Sequence, residues 1–467
     1  MNEYFYSKDV SELRRSFREG KMKSLDSRLT QLRLLHKLLE EGENELCDAV
    51  YKDLKKCRVE TNMMEFLQIR IELGNATQNL EKWMKPKQVK GDLINKLNTC
   101  QLHKDPLGVV LIIGAWNLPL WEIFFPLVGA LSAGNCAILK LSELSPHTAL
   151  AIEKLVPKYL SRDCVKVVNG GIAETTALLR ERFDYIFYTG STNVGRIVMK
   201  AAAEHLTPVT LELDGKCPAI VDSTSNFPVV AQRIAWSKFS TCGQLCLAVD
   251  YILCLPSCEE ALVDALIASI KKFYGDNPKT CESYGRIVNK HHHQRITKLI
   301  DKSKVVYGGE IDEDDLYIAP TILTNVTPND LIMKEEIFGP LLPIIAVSSL
   351  QEAVDFINKR DKPLAVYMFS NDEKSISFVT SETSSGGMCV NDAAVHAAVP
   401  NLPFGGVGKS GMGSYHGKKS FNTFSHTKSY LYKNQRLENL NAVRYPPYKE
   451  DNAVMKWTEW ILKPTLK

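Results

Sequence analysis

Three residues far apart in the chain have the types that nucleophilic chemistry at a carbonyl carbon requires. Cys246 stands in Gly243-Gln244-Leu245-Cys246, on a turn between a run that can be helical (229–238) and the apolar run 247–253, which reads as a strand. A cysteine on such a turn is fixed in place yet reachable, as a thiolate nucleophile needs to be. A buried structural thiol is the commoner fate of a lone cysteine, so its partners decide. Glu212 ends the apolar run Val209-Thr210-Leu211, where burial raises a carboxyl's pKa and fits it for general-base work near neutral pH. A salt-bridged structural glutamate is the competing reading. Asn117, in Trp116-Asn117-Leu118-Pro119 behind another buried run, offers an amide donor to an oxyanion, although asparagine also closes turns.

Other residues point to a phosphate-bearing ligand. Tyr188-Thr189-Gly190-Ser191-Thr192-Asn193-Val194-Gly195 reads as strand, glycine turn and helix start, whose N–H groups and dipole can hold a pyrophosphate. It is not GxGxxG, and a plain strand-to-helix turn explains it equally. Lys140 and Glu143 follow an apolar strand and can bond ribose hydroxyls; two solvated charges are the alternative. His291-His292-His293 cannot converge on one metal, because neighbours on a helix point about 100° apart, and reads as a solvated surface. Cys242 and Cys246 lack a second ligand pair, which argues against zinc. No metal site is expected.

These residues need elements to carry them. Residues 9–82 have helical spacing, with Leu29, Leu32, Leu35, Leu38 and Leu39 among charges. From Pro106 the period changes to short apolar runs: 107–114, 137–140, 165–168, 185–188 and 209–212. Helical stretches at 147–160, 173–182 and 194–205 separate the later ones. The alternation predicts a doubly wound α/β domain, with ligands at the strands' carboxyl ends. Asn117, Lys140, Gly190 and Glu212 all fall there. A second α/β alternation follows Cys246: a strand to 255, helices at 258–274 and 291–301, and strands near 317–323 and 341–347. An acidic, aromatic-bearing turn covers 329–340, and the glycine-rich 402–408 reads as a loop over a site.

The totals exclude other classes. At 467 residues two or three domains are expected. A net charge of +3 leaves no footprint for nucleic acid. Twelve cysteines without framework spacing suit a reducing compartment. Met1 to Lys8 does not lead into an apolar region, so no signal peptide is expected, and without a run of about 18 apolar residues no membrane span is expected. The end, 452–467, can form an amphipathic helix with Val454, Trp457, Trp460 and Ile461. It reads first as docked on its own subunit, with a membrane surface as the alternative.

Taken together, Gly114-Ala115-Trp116-Asn117, Lys140 to Glu143, Thr189 to Gly195, Leu211 to Lys216, Gly243 to Cys246, Glu336-Ile337-Phe338-Gly339-Pro340 and Leu402 to Gly406 resemble the aldehyde dehydrogenase superfamily in order and spacing. Ala202 to Thr210, Arg233 to Trp236, Glu382 to Gly387 and Gly413 to Phe421 are similar to its class 3 branch. The wording of Cys217 to Asp222 looks closest to plant members.

The resemblance implies a Rossmann-like cofactor domain (1–82 with 106–211), an α/β catalytic domain (212–424), a small β oligomerisation or bridging element (83–105 with 425–440) and a tail (441–467). It implies NAD(P)-dependent oxidation of a medium-chain, long-chain or aromatic aldehyde, with Cys246 as nucleophile, Asn117 at the oxyanion and Glu212 as base. NAD, and NADP as in many class 3 relatives, would meet Lys140, Glu143, Gly190, Ser191, Gly195, Glu336 and Phe338. Trp236 and Leu245 would line a substrate tunnel. A homodimer is implied, in the cytoplasm or peripherally on an intracellular membrane.

Four positions depart from the pattern: Asp214 replaces a glycine, Thr241-Cys242 replaces the usual asparagine environment, Leu245 replaces a small residue and Leu141 a proline. Asp214 is expected to strain the backbone, to oppose the Cys246 thiolate and to weaken cofactor binding. A catalytically weak, cofactor-binding or structural member is therefore the alternative reading, and a thiol esterase using Cys246 and Glu212 is another.

Overall fold

A computed structural model describes residues 6–91, 98–435, 438, 444–448 and 456. It divides into two compact units, 1–84 with 105–426 and 85–104 with 427–467.

In the larger unit the helices Ser7–Arg18, Leu25–Glu41, Glu43–Leu54 and Leu67–Met84 precede the first sheet. Their leucine stripe is buried, Leu32, Leu35, Leu38 and Leu39 completely. The first sheet runs, edge to edge, Gly411–Met412, Val209–Glu212, Tyr185–Thr189, Val109–Ile113, Cys136–Lys140 and Val165–Val168. All neighbours are parallel except the first pair. This is the doubly wound order, and the direction of winding reverses between Val109–Ile113 and Tyr185–Thr189. A crevice opens at the carboxyl ends there, beside Asn117 and Gly190. Val109–Ile113 and Cys136–Lys140 are buried throughout, which is why both read as unbroken apolar runs.

The second sheet runs Val305–Tyr307, Thr321–Leu323, Leu341–Ala346, Tyr251–Cys254, Pro218–Val221, Ala365–Phe369 and Gly387–Val390. Only Val305–Tyr307 is antiparallel. The run expected as a strand over 247–253 becomes one only at Tyr251. Before it the backbone is engaged by side chains, as where Tyr367 Oη donates to Leu247 O at 2.7 Å.

Residues 411–424, assigned from sequence to the second domain, return to the first sheet. Gly411 pairs with Glu212, and the helix Lys418–Thr423 packs on the helix Trp121–Ala133. The loop 402–408 is present but tightly packed: a Cβ at Gly405 would meet Gly413 O at 2.2 Å.

The smaller unit has a three-stranded sheet in the order Lys87–Gln88, Thr99–Pro106, Ser425–Tyr432. Among the described residues no helix is long and apolar enough to cross a membrane. The amphipathic helix expected over 452–467 lies outside the described residues, apart from Lys456.

Candidate active site

A cavity of about 900 Å³ lies between the carboxyl ends of the two sheets, and it gathers Asn117, Glu212 and Cys246. Asn117 follows the strand Val109–Ile113, and Glu212 ends its own strand with Thr189 and Gly411 as cross-strand partners. Cys246 comes from the turn that links the helix Phe227–Phe239 to the second sheet.

That turn is strained and pinned. Thr241, Cys242 and Gly243 follow one another with φ of 49°, 55° and 74°. A β-branched residue rarely adopts this conformation, and it persists only where its surroundings enforce it. Glu60 Oε1 accepts the Thr241 N–H at 2.5 Å. Gln244 Nε2 donates to Thr241 O at 2.9 Å and to Arg286 O at 3.0 Å, while its Oε1 accepts from Val288 N at 3.0 Å. Gly243 could not be another residue, because a Cβ there would lie 2.3 Å from Gly339 O. The Gly-Gln pair thus packs the nucleophile turn against Gly339-Pro340.

Burial raises the Cys246 thiol well above its usual range, and Glu122, Glu336, Cys217 and Glu212 add to the shift. Asp214, expected to oppose the thiolate, is not among the foremost causes. Burial also raises Glu212, with Glu122 as the one charged neighbour adding to it. Both Glu212 carboxyl oxygens are buried with no hydrogen-bond partner.

Glu122 carries no signal in the sequence. It is the single charged residue of the buried helix Trp121–Ala133, yet it lines the same cavity. Burial lifts its pKa to about 7. Tyr415, also buried, adds its hydroxyl to the wall, and Trp121 Nε1 donates to that hydroxyl at 3.4 Å.

The cofactor candidates split. Gly190 and Ser191 line the cavity at the start of the helix Thr192–Glu204, where Ser191 Oγ accepts from Val194 N. Gly190 has φ 151°, and a Cβ there would stand 2.4 Å from Tyr188 Oη, so the position leaves backbone open to an approaching group. Gly195 does not reach the cavity. It faces Leu213, 2.5 Å from a built Cβ, and serves close helix–strand packing.

Lys140 and Glu143 lie at the same edge of the first sheet but outside the main cavity. The Lys140 ammonium is buried, donates to Leu141 O at 2.5 Å and lies 3.8 Å from half-exposed Glu143. Leu141 N donates to Val168 O at 3.2 Å, a bond proline cannot make.

Glu336 and Phe338 line the opposite wall. Their loop is held by Arg295 Nη2 donating to Ile337 O at 2.6 Å and by Asp250 Oδ1 accepting from Ile337 N at 3.0 Å. Lys216 donates to Ile332 O and Glu335 O and pairs with Asp250. Burial raises Glu336 well above the carboxylate range, followed by the charges of Asp214 and Asp250. A helix amino end, an open glycine, a buried lysine and two carboxyls are a donor set that fits a dinucleotide.

Three expectations need correction, those on Asp214, Trp236 and the histidines. Asp214 is not strained: its φ is not among the positive ones. Its Oδ2 accepts the Thr192 N–H at 2.8 Å, so it caps the helix instead. Trp236 does not reach the main cavity but lines a separate hollow of about 420 Å³ with Arg233, Asp392 and Val395. Leu245, the other expected tunnel residue, forms an apolar patch with Leu118 and Ala248 against Met64 and Trp121, which is compatible with that role. The three histidines are not one solvated surface. His291 is exposed, whereas His292 lines the cavity against Trp116 and His293 is buried on Tyr317 O at 3.0 Å. Among the described residues no three His, Cys, Asp or Glu side chains are grouped to hold a metal.

Comparison with known proteins agrees with the site. A family model described as "Aldehyde dehydrogenase family" matches residues 6–430. Aldehyde dehydrogenase family 3 member A2 of Rattus norvegicus is 48% identical over 455 residues, covering 97% of this chain and 94% of the relative. The same organism's "Aldehyde dehydrogenase, dimeric NADP-preferring" is 49% identical over 441 residues, covering 94% and 97%. The solved Staphylococcus aureus AldH, in a substrate-bound state, superposes with a TM-score of 0.95 at 43% identity, covering 98% of this chain and 99% of that one. The chain belongs to the aldehyde dehydrogenase family, in its family 3 branch, and is an NAD(P)-dependent aldehyde dehydrogenase.

Proposed function

We propose that Cys246, Asn117 and Glu212 carry out the oxidation through an acyl-cysteine. The observation that carries this is their meeting in one cavity from two strand ends and the turn that enters the second sheet. Cys246 sulfur attacks the aldehyde carbon, and the Asn117 amide with the Cys246 N–H receives the oxyanion. When bound, the nicotinamide supplies a hydride acceptor, so that the adduct is left as a thioester. Glu212, unpaired and raised by burial, then takes a proton from the water that attacks the acyl carbon and releases the carboxylate. Lys140 and Glu143 hold the adenosine ribose, Gly190 and Ser191 the pyrophosphate, Glu336 and Phe338 the nicotinamide ribose.

The first sheet with its leading helices is the cofactor domain and the second sheet the catalytic one. The apolar patch of Leu118, Leu245 and Ala248 supports medium-chain, long-chain or aromatic aldehydes as substrates. A homodimer is proposed through the smaller unit, whose edge strand exposes Tyr430, Leu431 and Tyr432. Its location is the cytoplasm, or the face of an intracellular membrane. All twelve cysteines are free, which supports a reducing compartment.

The test is a pair of variants assayed with hexanal and NAD. Cys246→Ser should abolish reduced-cofactor formation. Glu212→Gln should give one burst of reduced cofactor and then stall, because acylation survives and hydrolysis does not. Steady turnover by Glu212→Gln equal to the wild type would exclude Glu212 as base.

A further inference from the structure

The cavity holds a second carboxyl for which the proposed mechanism has no use. Glu122 is the second residue of the helix Trp121–Ala133 and is 5% exposed. It packs against the end of the Asn117 strand, where a Cβ on Gly114 would lie 3.2 Å from the Glu122 Cβ. It also faces Thr189, the cross-strand partner of Glu212, whose buried hydroxyl bears on the Glu122 carboxyl and partly offsets its rise. A carboxyl amid Ile123, Phe124 and Phe125 is costly unless something depends on it.

No cation relieves it. The charged and titratable groups bearing on Glu122 are Glu65 from the helical turn Asn62–Phe66, Glu212 from its strand, Cys246 from its turn and Tyr415 from the returning loop. Glu65 is already engaged, by Lys56 at 2.5 Å and by Leu120 N at 2.8 Å. Lys56 therefore neutralises Glu65 and not Glu122. Of the basic residues on the same cavity wall, Arg295 and Lys216 bear on Glu336 and Asp250 and not on Glu122 or Glu212. Two buried carboxyls and a thiol with only acidic groups bearing on one another do not all ionise together.

We infer that Glu122, buried in the same cavity as Glu212 and Cys246, is a positioning residue that sets the pH of turnover. The inference rests on the reading of Glu212 as the base and of Cys246 as the nucleophile. Burial raises Glu122 to about 7, and Glu122 in turn adds to the upward shifts of Glu212 and Cys246. In hydrolysis a water O–H bond breaks and its proton passes to Glu212, while the water oxygen bonds to the acyl carbon. The C–S bond then breaks, sulfur keeps the pair as thiolate, and the product acid's remaining proton returns to it. With Glu122 ionised, Glu212 is free to begin this step only at higher pH.

The test uses the full-length enzyme and Glu122→Gln, which keeps shape and removes charge. Two readouts are taken: the pH dependence of acyl-enzyme breakdown, and the alkylation rate of Cys246 by iodoacetamide. The acid limb should move down by about one pH unit, and alkylation at pH 7.5 should speed up about tenfold, the factor one pKa unit carries. Glu122→Asp, which keeps the charge, should retain the wild-type limb. Should Glu122→Gln not fold, Glu122→Leu suits the apolar helix and carries the same two expectations. A profile lowered at every pH with its limb unmoved, and alkylation at the wild-type rate, would overturn the inference. The alkylation arm does not involve Glu212, so it still decides the matter if Glu212→Gln keeps turning over and the base assignment falls.

Discussion

Asp214 puts a carboxylate where the proposed site wants an anion from outside. Its Oδ2 accepts the Thr192 N–H at 2.8 Å, at the amino end of the helix Thr192–Glu204 and on the cavity wall. Replacement by asparagine separates its two effects, since Asn offers the same acceptor oxygen without the charge and caps a helix about as well. A unit charge about 6 Å from an anion repels it by about 1–3 kcal/mol at an effective dielectric of about 20–50. That range spans roughly fivefold to a hundredfold in Kd, and the wet cleft favours its lower half. Asp214→Asn is therefore expected to bind NAD about tenfold more tightly at an unchanged Tm. Asp214→Gly should gain the same affinity while losing about 1 kcal/mol of stability with the cap. Calorimetric titration at low and high salt is the assay. The gap between wild type and Asp214→Asn should narrow as the Debye length falls from about 30 Å at 0.01 M to about 3 Å at 1 M. An equal or weaker Kd for Asp214→Asn at low salt would refute the electrostatic reasoning.

Two further expectations concern the scaffold. Gly243→Ala forces a methyl to within 2.3 Å of Gly339 O at φ 74°, which should cost about 3 kcal/mol in urea unfolding and abolish turnover with Cys246 displaced. Full stability and activity would show that the turn is not pinned as described. Glu72, buried where it accepts from Gly417 N at 2.9 Å and Ser420 Oγ at 3.0 Å, has its pKa raised by burial to about 7. A raised folded pKa contributes stability below about pH 4.5 that is lost as pH climbs through 7, by at most about 3 kcal/mol here. Glu72→Gln should flatten the fall in Tm between pH 5 and 8, and an unaltered slope would contradict the assignment.

How far the sequence reveals this site depends on which physical signal each part leaves. Strands buried on both faces leave unbroken apolar runs, so Val109–Ile113, Cys136–Lys140 and Tyr185–Thr189 are legible, and with them the strand-end positions of Asn117, Lys140 and Gly190. Pro218–Val221 and Gly387–Val390 are four residues each and contain Pro and Gly, so neither stands out as a run. The return of Gly411–Met412 to Glu212 joins residues about 200 apart and has no local signature at all. Glu122 is hidden for the same reason, since its meaning comes from Glu212 and Cys246, not from its neighbours in the chain. The error over Asp214 is of another kind. A glycine in relatives does not imply a left-handed backbone, and here the position is ordinary while the helix end beside it is not.

The two halves of the site are held in opposite ways, and the proposed chemistry needs that contrast. The Cys246 turn has its neighbouring polar groups paired: Thr241 N with Glu60, the Gln244 amide at both ends, and the Cys246 carbonyl with Cys217 Sγ at 3.3 Å. A nucleophile must present one trajectory to the carbonyl, and a turn pinned by these bonds restricts the alternatives while leaving the Cys246 N–H for the oxyanion. Glu212 has neither oxygen paired, and burial keeps it protonated until the pH rises. A base paired to a cation or to N–H donors would ionise readily but would be too weak to take a proton from water. Leaving Glu212 unpaired preserves its basicity, and the fold tolerates this because its strand is clamped on both sides, by Thr189 and by Gly411. The pairing with Gly411 is thus more than closure of a sheet: it holds in place a strand end whose side chain makes no hydrogen bond of its own.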